Sequence, residues 1–124
     1  MRFLLPLLLV LGGCATAPGP EPVPAPEAPP ARSESVAVAG LMEGARNDVA
    51  AGRLANAAAS LERALRIEPR NPRLWHELAR VRLRQGDYAQ AESTAARSNA
   101  WAGADGELRA ANQRIIEEAR AARR

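Results

Sequence analysis

Three features of this 124-residue sequence have side chains suited to chemistry: a lone thiol at Cys14, a lone imidazole at His76, and a set of spaced arginines. A catalytic or structural metal needs several His, Cys or carboxylate ligands at ligand spacing, and His76 has no such company in the sequence. There is no Ser/His/Asp arrangement, no glycine-rich phosphate loop and no pair of acids set in an evident cleft. The sequence therefore predicts a protein that is not an enzyme, with no cofactor, no metal and no small-molecule substrate. Arg73, His76, Arg80 and Arg84 recur at three- or four-residue intervals, which puts them on one face of a helix. Guanidinium forks on one stripe bind carboxylates bidentately, a chemistry of recognition. The same spacing also describes a solvated face in a chain whose 17 basic residues are all arginine.

The compartment is set by the thiol and what precedes it. Met1-Arg2 leads into FLLPLLLVL, Phe3 to Leu11, and then into small residues. One positive charge, a short apolar run and small residues make the layout of a secretory signal. The run is about half of what a membrane-spanning helix needs. An unpaired cysteine in an exported chain is a redox liability unless it is consumed. Leu11-Gly12-Gly13-Cys14 resembles the lipobox of bacterial lipoproteins. That resemblance implies removal of residues 1–13 as a signal peptide. Cys14 then becomes the first residue, carrying a diacylglycerol thioether and an N-acyl chain such as palmitate. Each buried methylene contributes about 0.8 kcal/mol, so two or more chains anchor stably. Ala15, in place of the aspartate that retains lipoproteins at the inner membrane, implies an outer-membrane anchor with the chain facing the periplasm.

Residues 14–34 follow as a linker rich in proline and alanine, with seven of the chain's ten prolines between Pro18 and Pro30. Proline fixes φ and lacks an N–H, so helix and sheet are both closed to this segment. Polyproline II or disorder is the expectation, with a reach of roughly 50 Å at about 3.1 Å per residue. A spacer is favoured here over a ligand for an aromatic groove.

From residue 35 onward the pattern is helical and repeats with a period of 34 residues. Leu41 aligns with Trp75, Ala45 with Ala79, Gly52 with Gly86, Leu54 with Tyr88 and Ala57 with Ala91. This resembles the tetratricopeptide repeat, a unit of two antiparallel helices. A first copy runs from about Val38 to Asn71 and a second from Pro72 to about Asp105. Pro69 ends one helix, and Asn71-Pro72 caps and starts the next. In the second copy Ala95 and Ser98 replace the usual large residue and alanine, and Gly103 stands where proline is expected. A fifth helix, about Asp105 to Ala122, carries Leu108, Ala111, Ile115, Ala119 and Ala122 on one face, with Asp105 as its cap. It reads as the terminal helix that covers the last repeat. The expected fold is all-α: two tetratricopeptide helix pairs plus a C-terminal capping helix over residues 35–124, behind a disordered Pro/Ala-rich tether. Trp75 and Tyr88 are assigned to the core. Trp101, at the joint with the capping helix, is assigned to packing over exposure.

In tetratricopeptide domains the first helix of each pair lines a concave groove. Carried over by that resemblance, the groove positions are Met42 and Arg46 in the first copy and Arg73, His76, Arg80 and Arg84 in the second. The occupant implied is an acidic protein segment. Lipobox, tether and short repeat domain together, with the stretch NPRLWHELARVRLRQGDYAQAE (Asn71 to Glu92), resemble the LpoP-type family of outer-membrane activators of class A penicillin-binding proteins. The resemblance implies a protein partner, the peptidoglycan synthase, reached through the cell wall. It also implies stimulation of glycan polymerisation and cross-linking. The alternative is a pilotin-like or scaffold lipoprotein for assembly of an envelope complex. Those usually carry more repeats and need no long spacer. Nucleic acid is disfavoured as a partner, because aromatics are 3% of residues and no basic run exceeds Arg123-Arg124.

Overall fold

A computed structural model describes residues 35–124. The signal peptide of residues 1–13, Cys14 and the linker of residues 14–34 lie outside the described residues. Five helices follow in order: α1 (Val36–Ala50), α2 (Leu54–Ile67), α3 (Pro72–Arg84), α4 (Tyr88–Trp101) and α5 (Gly106–Ala122). The fold is all-α, two tetratricopeptide-like helix pairs, α1–α2 and α3–α4, with α5 as the cap. No helix among the described residues is long and apolar enough to cross a membrane.

Each boundary has a local cause. The Ser35 hydroxyl accepts the Val38 N–H at 3.2 Å and starts α1. The Asn71 side chain accepts the Arg73 N–H at 3.0 Å, and Pro72 occupies the first position of α3, where no N–H is needed. The Asp105 carboxylate accepts the Leu108 N–H at 3.0 Å and starts α5. The turns inside the two pairs are the same turn, 34 residues apart. Gly52 (φ +77°) donates to the Val49 carbonyl and Arg53 to the Asp48 carbonyl. Gly86 (φ +76°) donates to Leu83, and Asp87 to Arg82. This is a Schellman motif, which satisfies the last carbonyls of one helix and reverses the chain within three residues. Such short connections force consecutive helices to lie as antiparallel neighbours.

The core forms two clusters that share α3. In the first, Val38, Met42 and Ala45 of α1 meet Ala57, Leu61, Ala64 and Leu65 of α2 and Leu74, Leu78 and Val81 of α3. In the second, Ala79 of α3 and Ala91 and Ala95 of α4 meet Ile115, Ile116 and Ala119 of α5. The small residues at Ala91 and Ala95 let α5 approach closely, and its two isoleucines supply the volume that α4 lacks. Trp75 and Tyr88 are partly buried and pack against the first and second cluster respectively. The expected face of α5 is rotated relative to the structure. Ile115 and Ala119 are buried as expected, but so are Asn112 and Ile116, whereas Ala122 is exposed. The seam is 112-115-116-119, the spacing of a single helix stripe.

Trp101 corrects the packing assignment. It is 46% exposed, and the Arg70 guanidinium lies 5.3 Å from its ring centroid. Helix α4 ends at this residue, and Gly103 turns the chain away at φ +56°.

Candidate partner-binding groove

Helices α1, α3 and α5 line a run of connected concavities, and all six expected groove residues border it. Met42, Arg46, Arg80 and Arg84 surround the first, together with Val49 and Glu77. Met42 and Arg46 recur in the second, joined by Arg73 and His76, in a cleft of about 350 Å³ whose far wall is α5. His76, Arg80 and Arg84 border a third, again against α5. Met42 is only 4% exposed, so it serves as apolar floor while the arginines form the rim.

Two of the groove arginines are held by carboxylates one turn away. Arg46 pairs with Glu43 at 3.8 Å and Arg80 with Glu77 at 3.3 Å, both on exposed helix surface where such pairs contribute little. Arg73 and Arg84 have no carboxylate partner among the described residues. The spacing argument missed the wall contributed by α5. Arg114 adds a further unpaired guanidinium, while Glu107 and Glu118 add carboxylates. The groove is therefore a basic stripe along α3 facing a wall of mixed charge, not a uniformly basic trough. A carboxylate entering it meets Arg73, Arg84 and Arg114 without first displacing an internal partner.

His76 is fixed by a network that the sequence did not disclose. Its Nδ1 lies 2.8 Å from Asn112 Oδ1. Asn112 is fully buried, and its Nδ2 donates both to Ser98 Oγ at 2.7 Å and to Asn99 Oδ1 at 2.9 Å. Ser98 Oγ in turn donates to the Pro72 carbonyl at 2.8 Å. With both amide protons of Asn112 committed, its Oδ1 is an acceptor, so His76 Nδ1 carries a proton and donates. The other ring nitrogen, Nε2, is left for the groove. Ser98, the departure from the repeat's alanine, is thus the hinge of a chain joining α3, α4 and α5. No sequence signal pointed to it, because Asn112 lies off the α5 stripe expected from the sequence.

Among the described residues no cluster of three His, Cys, Asp or Glu is placed to hold a metal ion. No buried side-chain nitrogen or oxygen among them lacks a hydrogen-bond partner.

Comparison with known proteins adds an independent line. A family model described as tetratricopeptide repeat matches residues 48–115. Among solved structures, the chain is similar to the globular C-terminal domain of P. aeruginosa LpoP. The two are 42% identical, with a TM-score of 0.70, over 72% of this chain and 84% of that one. No curated protein sequence matches significantly.

Proposed function

The chain belongs to the tetratricopeptide-repeat family and, within it, to the LpoP type, and from that premise we infer that it is a periplasm-facing adaptor that binds and stimulates a class A penicillin-binding protein. The observation that carries this reading is the 42% identity to the LpoP globular domain across 84% of that domain. Identity at that level extends beyond the residues that any helix pair of this kind requires. The chain acts by binding and not by catalysis. Residues 1–13 direct export, Cys14 holds the lipid anchor in the outer membrane, and residues 14–34 space the folded part from it.

The groove of α1, α3 and α5 is the surface that we assign to the synthase. Met42, Arg46, Arg73, His76, Arg80 and Arg84 are its contact residues, and an acidic segment of the synthase is its occupant. The unpaired guanidiniums of Arg73 and Arg84 support that assignment, as does the fixed orientation of His76.

The test uses the purified mature chain and the class A synthase of the same organism, with lipid-linked precursor as substrate. Glycan-strand and cross-link formation are followed with and without the adaptor. The expected result is a clear rise in both rates. With R80E/R84E the rise is lost and affinity falls by about tenfold or more, as for removal of buried charge contacts at an interface. Unchanged rates with the wild-type adaptor would refute the activator reading. Unchanged affinity with R80E/R84E would refute the groove alone.

A further inference from the structure

A second surface stands apart from the groove and shares no residue with it. The Arg70 guanidinium covers the Trp101 ring at 5.3 Å, and the Arg97 guanidinium covers the Trp75 ring at 5.2 Å. Arg97 and Trp101 are four residues apart on α4, hence on the same helix face. Arg70 follows Pro69, whose carbonyl accepts the Trp75 indole N–H at 2.8 Å. The two stacked pairs are therefore interleaved into one ridge across the α2–α3 junction and the end of α4.

Next to the ridge is a cleft floored by Leu65, Pro69, Trp75 and Leu78 and rimmed by Arg66 and Arg82. Arg82 is held by Glu62 at 2.5 Å. Arg66, Arg70 and Arg97 have no carboxylate partner among the described residues. Stacking immobilises a guanidinium over a ring while leaving its edge N–H groups free to bind a carboxylate. Side-chain order at this ridge is thus established before any partner arrives, which lowers the entropic cost of binding.

We propose that this ridge and cleft form a second docking surface, whose occupant is an acidic peptide segment carrying one large apolar side chain. The apolar side chain fills the cleft beside Trp75, and flanking carboxylates bind Arg70 and Arg97. Charge decides the sign of the partner: Arg66, Arg70 and Arg97 have no carboxylate partner among the described residues, whereas Glu62, the carboxylate that lines the cleft, is held by Arg82. Shape decides its class. Leu65 and Leu78 are buried beneath the exposed Arg66, so the apolar surface on offer suits a single protruding side chain. Tryptophan and arginine are also the residues most enriched where interfaces concentrate their binding energy.

The test measures anisotropy of a fluorescent synthetic peptide, a run of glutamates with one central leucine, added to the full chain. One control peptide replaces glutamate with lysine, and another replaces the leucine with alanine. The glutamate–leucine peptide is expected to bind, and both controls to bind about tenfold more weakly or worse. The variants are made in an R80E/R84E background, where the groove no longer takes an acidic peptide. The residual leucine-dependent binding is expected to persist there, and R70E/R97E and W101A each to weaken it by a similar factor. All five side chains changed, on the ridge or in the groove, are exposed, and a helical circular-dichroism spectrum verifies that each variant is folded. Equal binding of the lysine peptide, absence of binding, or complete loss of leucine-dependent binding through R80E/R84E alone would overturn the proposal. Vesicles of phosphatidylglycerol bound by the wild type but not by R70E/R97E, with no peptide binding, would reassign the ridge to a membrane and equally overturn it.

Discussion

At the scale of the residue, Asn112 has the largest consequence for its size. It is fully buried and holds three partners, one each at His76, Ser98 and Asn99. Removing it takes a partner from the fully buried Ser98 hydroxyl and from the half-buried His76 and Asn99 side chains. Asn112→Ala is expected to destabilise the domain by about 1–3 kcal/mol, the cost of unsatisfied buried polar groups. Chemical denaturation measures it. The double variant with His76→Ala should lose less than the sum of the two single losses, because the pair is coupled. An additive result would mean that the network does not position the imidazole. Lone histidines read from sequence are poor evidence for any role, and this one illustrates why. Its partner Asn112, 36 residues away and itself held by Ser98, meets it only once α5 is folded against α3 and α4.

At the scale of the element, the 34-residue period is carried by backbone as much as by side chains. The turns at Gly52 and Gly86 repeat the same hydrogen bonds, and both glycines have a φ that L side chains rarely adopt. Open space surrounds each position where a Cβ would go. Gly86→Ala therefore tests conformation without a clash, and a loss of about 1–2 kcal/mol is expected, read as a lowered denaturation midpoint. No change in the midpoint would mean that the turn relaxes to another geometry. Helix starts were legible where a short polar side chain caps its own helix, as at Asn71 and Asp105, because that interaction spans two or three residues. The face of α5 was less so. Its alanines fit several stripes equally well, and only contact with the alanine-lined α4 selects the stripe of Asn112, Ile115, Ile116 and Ala119. For the same reason the groove residues of α1 and α3 were legible by repeat position, whereas the α5 wall with Arg114, Glu107 and Glu118 was not, since α5 lies outside the repeat. Ile116→Ala should then cost about 2–5 kcal/mol, as for other buried large-to-small changes, although its neighbour at position 117 tolerates alanine freely. Thermal unfolding of the two variants side by side distinguishes this stripe from the one inferred from sequence.

At the scale of the whole molecule, the anchor, spacer and adaptor that we propose are separable and their failures differ. Cys14→Ala should release the chain from the membrane fraction while leaving stimulation of the purified synthase intact. Fractionation and the polymerisation assay read the two effects independently. Loss of stimulation by the unlipidated chain in solution would mean that the anchor does more than locate the adaptor. The two core clusters share α3, so the helix that bears most of the groove also joins the first pair to the cap. A ligand held on that helix should raise the unfolding temperature of the full domain in a single transition, by mass action on the folded state. Two separate transitions would show that the clusters unfold independently.

The hydrogen bond from the Ser35 N–H to Glu68 Oε1, at 3.0 Å, has a mechanical meaning. A protein moored to one membrane and gripping a partner in another is pulled along its chain whenever the two drift apart. Tension arriving at Ser35 would peel α1 turn by turn if the first turn carried it alone. Glu68 also accepts from Asn71 Nδ2 at 2.8 Å, so part of that tension passes straight to the junction of α2 and α3. The strain is shared across the hairpin in parallel and not unzipped bond by bond in series. An optical-trap measurement pulling between position 35 and α3 should find a lower rupture force for Glu68→Ala, at a stability little changed at rest.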